Sequence, residues 1–196
     1  MYPALLLRAC SDRTRSYSDN VSGADNQQER LDGYIAGYVD GEGCFAVSIN
    51  RNPTCRSGYQ LVPEFHVSQN GDRAQVLEVI RERLGGCGYI KSNGKKDRAL
   101  VYVVRRREDL LKRVIPFFER SPLLSSKKHE FERFAAIVRL MAVGHHRTKS
   151  GFSRLLDEAL SMNGEGRFRS VRWKDVIGSD PESSETVRRT RRVMPP

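Results

Sequence analysis

Apolar and polar positions switch between two periods along residues 31–163, and the switches predict a helix, two strands, a helix, two strands and then helices. Residues 31–40 read as a short apolar helix. Residues 44–52 alternate, with Phe45, Val47 and Ile49 on one face and Ser48, Asn50 and Asn52 on the other. Residues 60–69 do the same, setting Leu61, Pro63, Phe65 and Val67 against Gln60, Glu64, His66 and Ser68. Proline inside a strand predicts an edge or a bulge at Pro63. Residues 72–84 carry Val76, Val79 and Ile80 at helical spacing and stop at Gly85-Gly86. Residues 89–93 and 98–105 form a hairpin around Asn93-Gly94 and the lysines that follow. Residues 108–118 predict a helix interrupted by Pro116. Ser126 is placed to cap a helix over 127–143, whose apolar face holds Phe131, Phe134, Ile137, Val138 and Met141. Ser150 is placed to cap another over 151–162, and 184–193 can form a last short helix.

The pattern divides the chain into three parts. Residues 1–28 lack periodicity and are rich in Ser, Asp, Asn, Arg and Gln, which predicts a disordered or weakly attached extension. Residues 29–165 form the folded domain, and 166–196 a basic segment. Lys and Arg outnumber Asp and Glu by 34 to 24, a formal charge of +10. Such a balance fits a polyanionic partner such as nucleic acid, and equally a basic surface that only confers solubility. Cys10, Cys44, Cys55 and Cys87 lie far apart with no CxxC, against a structural zinc and against a disulfide scaffold, and read as reduced thiols of an intracellular protein. Whether that is an organelle or a bacterial cytoplasm is not distinguished. No apolar run approaches the roughly 20 residues that span a bilayer, and residues 4–7 are too short for a signal-peptide core.

One segment carries more than fold. From Leu31 to Gly43, glycines fall at 33, 37, 41 and 43. On a helix Gly33 and Gly37 strip one face of side chains, so that a second backbone can approach closely. Each helical glycine costs about 1 kcal/mol, and tight helix–helix contact is a natural compensation. The segment ends in Asp40 and Glu42, carboxylates at a helix end that is already partly negative. Two readings fit. The acidic end reaches solvent, or it meets an identical end around a hard cation such as Mg²⁺.

The run Ile35-Ala-Gly-Tyr-Val-Asp-Gly-Glu-Gly43 resembles the LAGLIDADG signature of homing endonucleases. Phe65-His-Val-Ser-Gln69, Leu84-Gly-Gly-Cys-Gly-Tyr89, Pro116-Phe117 and Lys127-Lys128 ahead of Phe131 follow in the order that family shows. The resemblance covers roughly residues 31–163. It implies an α+β fold, αββαββα, in which helices back an antiparallel, saddle-shaped sheet. It also implies site-specific, staggered cutting of double-stranded DNA with 3′ overhangs, by Mg²⁺-assisted hydrolysis. By the same resemblance Glu42 is the direct metal ligand, completed by the Gly41 carbonyl. Gln69 orders water, and Lys127 stands near the scissile phosphate. Asp40 closes the helix end.

The motif occurs once, so the resemblance implies a homodimer on a partly palindromic site. Its contact helix would bring Gly33, Ile35, Ala36, Gly37 and Asp40 to the interface. The concave sheet face would lie in the major groove. That makes Ser48, Asn50, Asn52, Gln60, Glu64, His66 and Ser68 expected readers, with Lys91, Asn93, Arg98 and Tyr102 on the second hairpin. Arg51, Arg56, Arg73, Lys95 and Lys96 are expected at phosphates. Polar alternation also marks any half-solvated antiparallel sheet. A second class of function, an RNA maturase that binds its own intron RNA, shares this fold and the same charge.

Overall fold

The computed structural model describes residues 19–94 and 98–165. A long helix, α1 (Asp19–Glu42), runs without a loop into β1 (Gly43–Arg51), which turns into β2 (Tyr59–Asn70). A single 3₁₀ turn, Gly71–Arg73, leads to α2 (Gln75–Arg83), then β3 (Tyr89–Ser92) and β4 (Ala99–Val104). Four helices complete the order: α3 (Arg107–Asp109), α4 (Ile115–Arg120), α5 (Lys127–Ala142) and α6 (Lys149–Glu165). The strands form one antiparallel sheet in the order β1-β2-β4-β3. This is the expected α+β arrangement of helices against an antiparallel sheet.

One face of the sheet is covered and the other is open. Phe45, Val47 and Ile49 of β1, Leu61, Phe65 and Val67 of β2, and Tyr102 and Val104 of β4 join the apolar core. Helices supply Ile35 and Val39, Leu77 and Ile80, Phe131 and Phe134, and Leu155 and Leu156. Phe45 is its centre. Its ring lies 5.1 Å from Phe65, 5.3 Å from Phe118, 5.2 Å from Phe131 and 5.4 Å from Phe134. No polar or charged residue is buried among the described residues, and none of the helices described is long and apolar enough to cross a membrane.

Several elements differ from expectation for identifiable reasons. Helix α1 starts at Asp19, inside the segment expected to lack order. Residues 25–30 are all exposed, so they carry no apolar period to read. Pro63 lies where β2 pairs with β1 alone, because pairing with β4 begins only at Phe65, so the proline stands at a local edge without a bulge. Pro116 does not interrupt the helical stretch. A π turn, Leu110–Val114, sends the Ile115 N–H back to the Leu110 carbonyl and absorbs the missing proline donor. The expected caps move by one or two residues. Ser125 Oγ, not Ser126, accepts the Lys127 N–H at 3.1 Å, and Thr148 Oγ1, not Ser150, accepts the Gly151 N–H at 3.1 Å. Residues 167–174 and 184–193, with Lys95 and Lys96, lie outside the described residues.

Replacing Phe45 by Ala removes the ring on which four others pack. Urea unfolding should show a loss of about 3–5 kcal/mol. A loss below about 1 kcal/mol would show that the ring cluster is not the core's keystone.

Candidate active site at the end of the glycine helix

Helix α1 turns opposite sides to two environments. Ile35 and Val39 are fully buried in the core, while Gly33, Gly37 and Gly41 lie exposed on the other side. A Cβ built on any of these three glycines would meet nothing within 4 Å. Ile35 was expected at the interface with a second helix and instead packs inward. It sits two residues from both Gly33 and Gly37, about 200° around the helix from each, which is the far side. Ala36 and Asp40 remain beside the strip. Together with Gly33 and Gly37 they line a groove of about 610 Å³ whose opposite wall is Arg120, Ser121, Pro122, Leu123 and Leu124. Leu124 is 92% exposed.

The C-terminal end of α1 is tied to the start of α5 by two side chains. The last four carbonyls of a helix lack intrahelical donors. Lys127 Nζ donates to the carbonyls of Val39 at 3.0 Å, Gly41 at 3.3 Å and Gly43 at 2.6 Å. In return the Asp40 carboxylate accepts the backbone N–H of Leu124 at 3.1 Å and of Ser125 at 2.9 Å, and the Ser125 hydroxyl. Burial pushes the Asp40 carboxyl up, but the hydrogen bonds from Ser125 and Leu124 outweigh it and hold the group below its usual value. Asp40 therefore closes the helix end. The junction leaves no room for a side chain at 43, where a Cβ would stand 2.5 Å from Val39 Cγ1.

Glu42 is the last residue of α1 and is exposed. Beside it are the Gly41 carbonyl and the Lys127 ammonium. Gln69, near the end of β2, donates its amide N–H to the Tyr38 hydroxyl, and its own carbonyl accepts the Asn70 N–H at 2.7 Å. Tyr38 lies one helical turn before Glu42, so Gln69 joins the same end of the sheet through α1. All of the expected catalytic residues thus gather at one edge. Tyr38 went unread in the sequence, although its spacing of four from Glu42 was visible. Among the described residues no three His, Cys, Asp or Glu side chains converge. The two exposed residues at the tip of α1, Gly41 and Glu42, present a carbonyl and a carboxylate as oxygen donors.

Strand register decides which expected readers reach the open face. Asn50 pairs with Gln60, Ser48 with Val62 and Cys44 with His66, while Ser68 and Lys91 flank Val101. These residues and Glu64 share the open side. Tyr102 does not. It is fully buried, on the core side with Leu100 and Val104, and its hydroxyl donates to the Cys87 carbonyl at 2.8 Å. Strand β4 is apolar on both faces, so alternation gave no parity to follow. Asn52 is engaged in its own loop, donating to Gln60 Oε1 at 3.0 Å and accepting from Thr54. Asn93 and Arg98 are exposed in the β3–β4 connection, and Arg73 is exposed in the turn after β2, 3.9 Å from Asp72.

Near the middle of the open face lies an ionic group that periodicity did not reveal. Glu64 Oε2 accepts from Arg105 Nε, and Glu64 Oε1 lies 3.2 Å from His66 Nδ1 without hydrogen-bond geometry. The His66 contact, then Arg105, overcome burial and hold the Glu64 carboxyl at about 2. Cys44, opposite on β1, and Glu64 push the His66 imidazole up to about 9.

A sequence model described as LAGLIDADG endonuclease matches residues 35–138. The chain belongs to this family. The homing endonuclease I-ApeII of Aeropyrum pernix is 36% identical over 108 residues, 55% of this chain and 62% of that protein. The crystal structure of the homing endonuclease I-TnaI superposes with a TM-score of 0.64 at 38% identity, over 69% of this chain and 91% of that one. The LAGLIDADG homing endonuclease I-LtrWI, solved bound to its target DNA, gives 0.67 at 32% identity, over 69% of this chain and 45% of that one. The chain spans less than two thirds of the length of the first curated relatives it matches.

The ionic group makes stability depend on pH in a defined direction. Glu64 contributes fully above its usual 4.5, and the contribution is lost as pH falls towards 2. His66 contributes fully below its usual 6.5, and that is lost as pH rises through 9. The gap in Tm between wild type and Glu64→Gln should therefore be widest from about pH 5 to 6 and narrow on both sides. A gap independent of pH would show that the contact is not ionic.

Proposed function

We propose that the chain is a site-specific endonuclease that cuts double-stranded DNA by metal-assisted phosphodiester hydrolysis, as a homodimer. The observation that carries this is the placement of Glu42. Its carboxylate is exposed at the point where a glycine-faced helix passes into a sheet with an open polar face. Family membership supports the reading, as do the formal charge of +10 and the likeness to I-LtrWI, which was solved on DNA.

Glu42 and the Gly41 carbonyl are hard oxygen donors with neither imidazole nor thiolate among them, which fits Mg²⁺. The same end already attracts positive charge, since three carbonyls hold the Lys127 ammonium there. When bound, the metal polarises the scissile phosphodiester and lowers the pKa of an attacking water. Lys127 keeps a fixed positive charge beside Gly41, where it opposes negative charge that builds on a phosphate. Gln69, held by Tyr38, offers an immobilised amide edge for ordering water. Staggered cuts leaving 3′ overhangs complete the reading on family resemblance.

Half of this arrangement is missing from one chain. A second copy packed along Gly33 and Gly37 would bring a second Glu42 to the same floor and cover Leu124 and the groove. The two like charges would then require a cation between them. The two sheets together would present a two-fold symmetric surface, matched to a partly palindromic site.

Glu42→Gln should abolish Mg²⁺-dependent cleavage of duplex spanning the joined flanks of the reading frame, with gel-shift affinity for that duplex unchanged within about twofold. Full activity in that variant would remove Glu42 from the chemistry. Folded intron RNA bound in preference to that duplex, with no cutting, would instead favour the maturase class. Light scattering should give about twice 22.3 kDa for wild type. Gly37→Val, at a position where an added Cβ meets nothing within 4 Å in its own chain, should give one chain's mass with an unaltered circular dichroism spectrum. A dimeric Gly37→Val protein would place the interface elsewhere.

A further inference from the structure

Residues 105–107 are three consecutive arginines at the end of β4, and the structure gives each a different fate. Arg106 is exposed and pairs with Glu108 at 2.9 Å. Arg107 turns into the helical layer and donates to the Met141 carbonyl at 3.3 Å. Arg105 continues the open side of β4, next after Val103, and sits across from Glu64 on the neighbouring strand. Its side chain is 49% exposed while that of Glu64 is 17% exposed. The guanidinium is therefore anchored at its base and open at its tip.

The anchoring is specific in its atoms. Arg105 spends Nε on Glu64 Oε2, and Nη1 and Nη2 have no partner among the described residues. Glu64 is the less accessible of the two for a base, at 17% exposed and with Oε1 3.2 Å from His66 Nδ1. Glu64 was expected to read DNA directly. Its geometry is instead that of a buttress, braced by His66 on one side and holding Arg105 on the other. A long cationic side chain fixed in advance loses less freedom on binding than a mobile one. Two parallel N–H donors in a plane match the O6 and N7 acceptors on the major-groove edge of guanine. Strands β2 and β4 are the two inner strands of the sheet, and Arg105, the residue that follows β4, is tied to Glu64 of β2 rather than to either outer strand.

We propose that Arg105 is a specificity-determining residue that reads one guanine in each half of the DNA site, and that Glu64 and His66 are the positioning residues that aim it. This deepens the endonuclease reading and rests on it. It also places a sequence requirement close to the cleavage point. Cys44 and His66 pair one row from Gly43, which directly follows Glu42, and Glu64, paired with Ala46 and holding Arg105, lies two rows further along the same face.

Selection of bound duplexes from a randomised library by the full chain tests this. Wild type should recover a guanine requirement at one position in each half-site. Arg105→Ala should reduce that preference about tenfold or more and leave the other positions intact. Arg105→Lys should not restore it, because an ammonium cannot make the paired contact. Glu64→Gln should weaken the same preference several-fold while the affinity for other sequences holds. Arg106→Ala should select the wild-type sequences. An unchanged guanine preference in Arg105→Ala would overturn the proposal. So would an affinity loss spread evenly over all sequences, the mark of a phosphate contact. Failure of wild type to select any duplex would bring down the endonuclease reading itself and this inference with it.

Discussion

The clasp between the end of α1 and the start of α5 is the interaction on which the rest of the site depends. A helix that passes straight into a strand leaves carbonyls without donors and a negative dipole end at the surface. Lys127 answers both by donating to Val39, Gly41 and Gly43 from a residue more than eighty positions away in sequence. Asp40 returns the tie by accepting the N–H groups of Leu124 and Ser125, which lead into α5. The two charged side chains cross between opposite helix ends, each placed where the local dipole favours it. Glu42 owes its fixed position to this pairing, since it stands between the two tied residues of α1 and the first residue of β1.

The clasp also explains how one helix serves two environments. Ile35 and Val39 fasten α1 to the core, and the bidentate contact of Arg83 with Asp32, 2.8 Å for Nη2, fastens it to α2. With its inner side and both charged anchors committed, the glycine strip can stay bare without the helix rolling inward to hide it. An exposed strip of glycine is unfavourable for an isolated helix, and here tertiary contacts on the other side carry that cost.

Legibility in the sequence followed the strength of each local signal. Strands β1 and β2 alternate cleanly, and their boundaries fell within a residue of expectation. Strand β4 has apolar side chains at every position, so Tyr102 was given the wrong face and Arg105 was passed over. Ile35 was misplaced for a related reason, since a glycine-rich run leaves few side chains from which to read a helical face. The start of α1 was invisible because its mostly polar residues carry no apolar period. At the site, the acidic end of the glycine helix was plain from spacing, and Lys127 and Gln69 came from resemblance. Their partners, the α1 carbonyls and Tyr38, were not legible, because contacts between distant segments leave no trace in local pattern.

The direct passage from α1 into β1 has a consequence for how such a molecule can diverge. No loop separates Glu42 from the strand, and a side chain at Gly43 would collide with Val39. Inserting or deleting one residue there would turn every following side chain of β1 to the opposite side of the sheet. Spacing between the acidic end and the recognition surface is thus locked, and new preferences must arise by exchanging side chains in place. Length can change without this effect in the far turns, such as the one between β1 and β2, which lies at the other end of the strands.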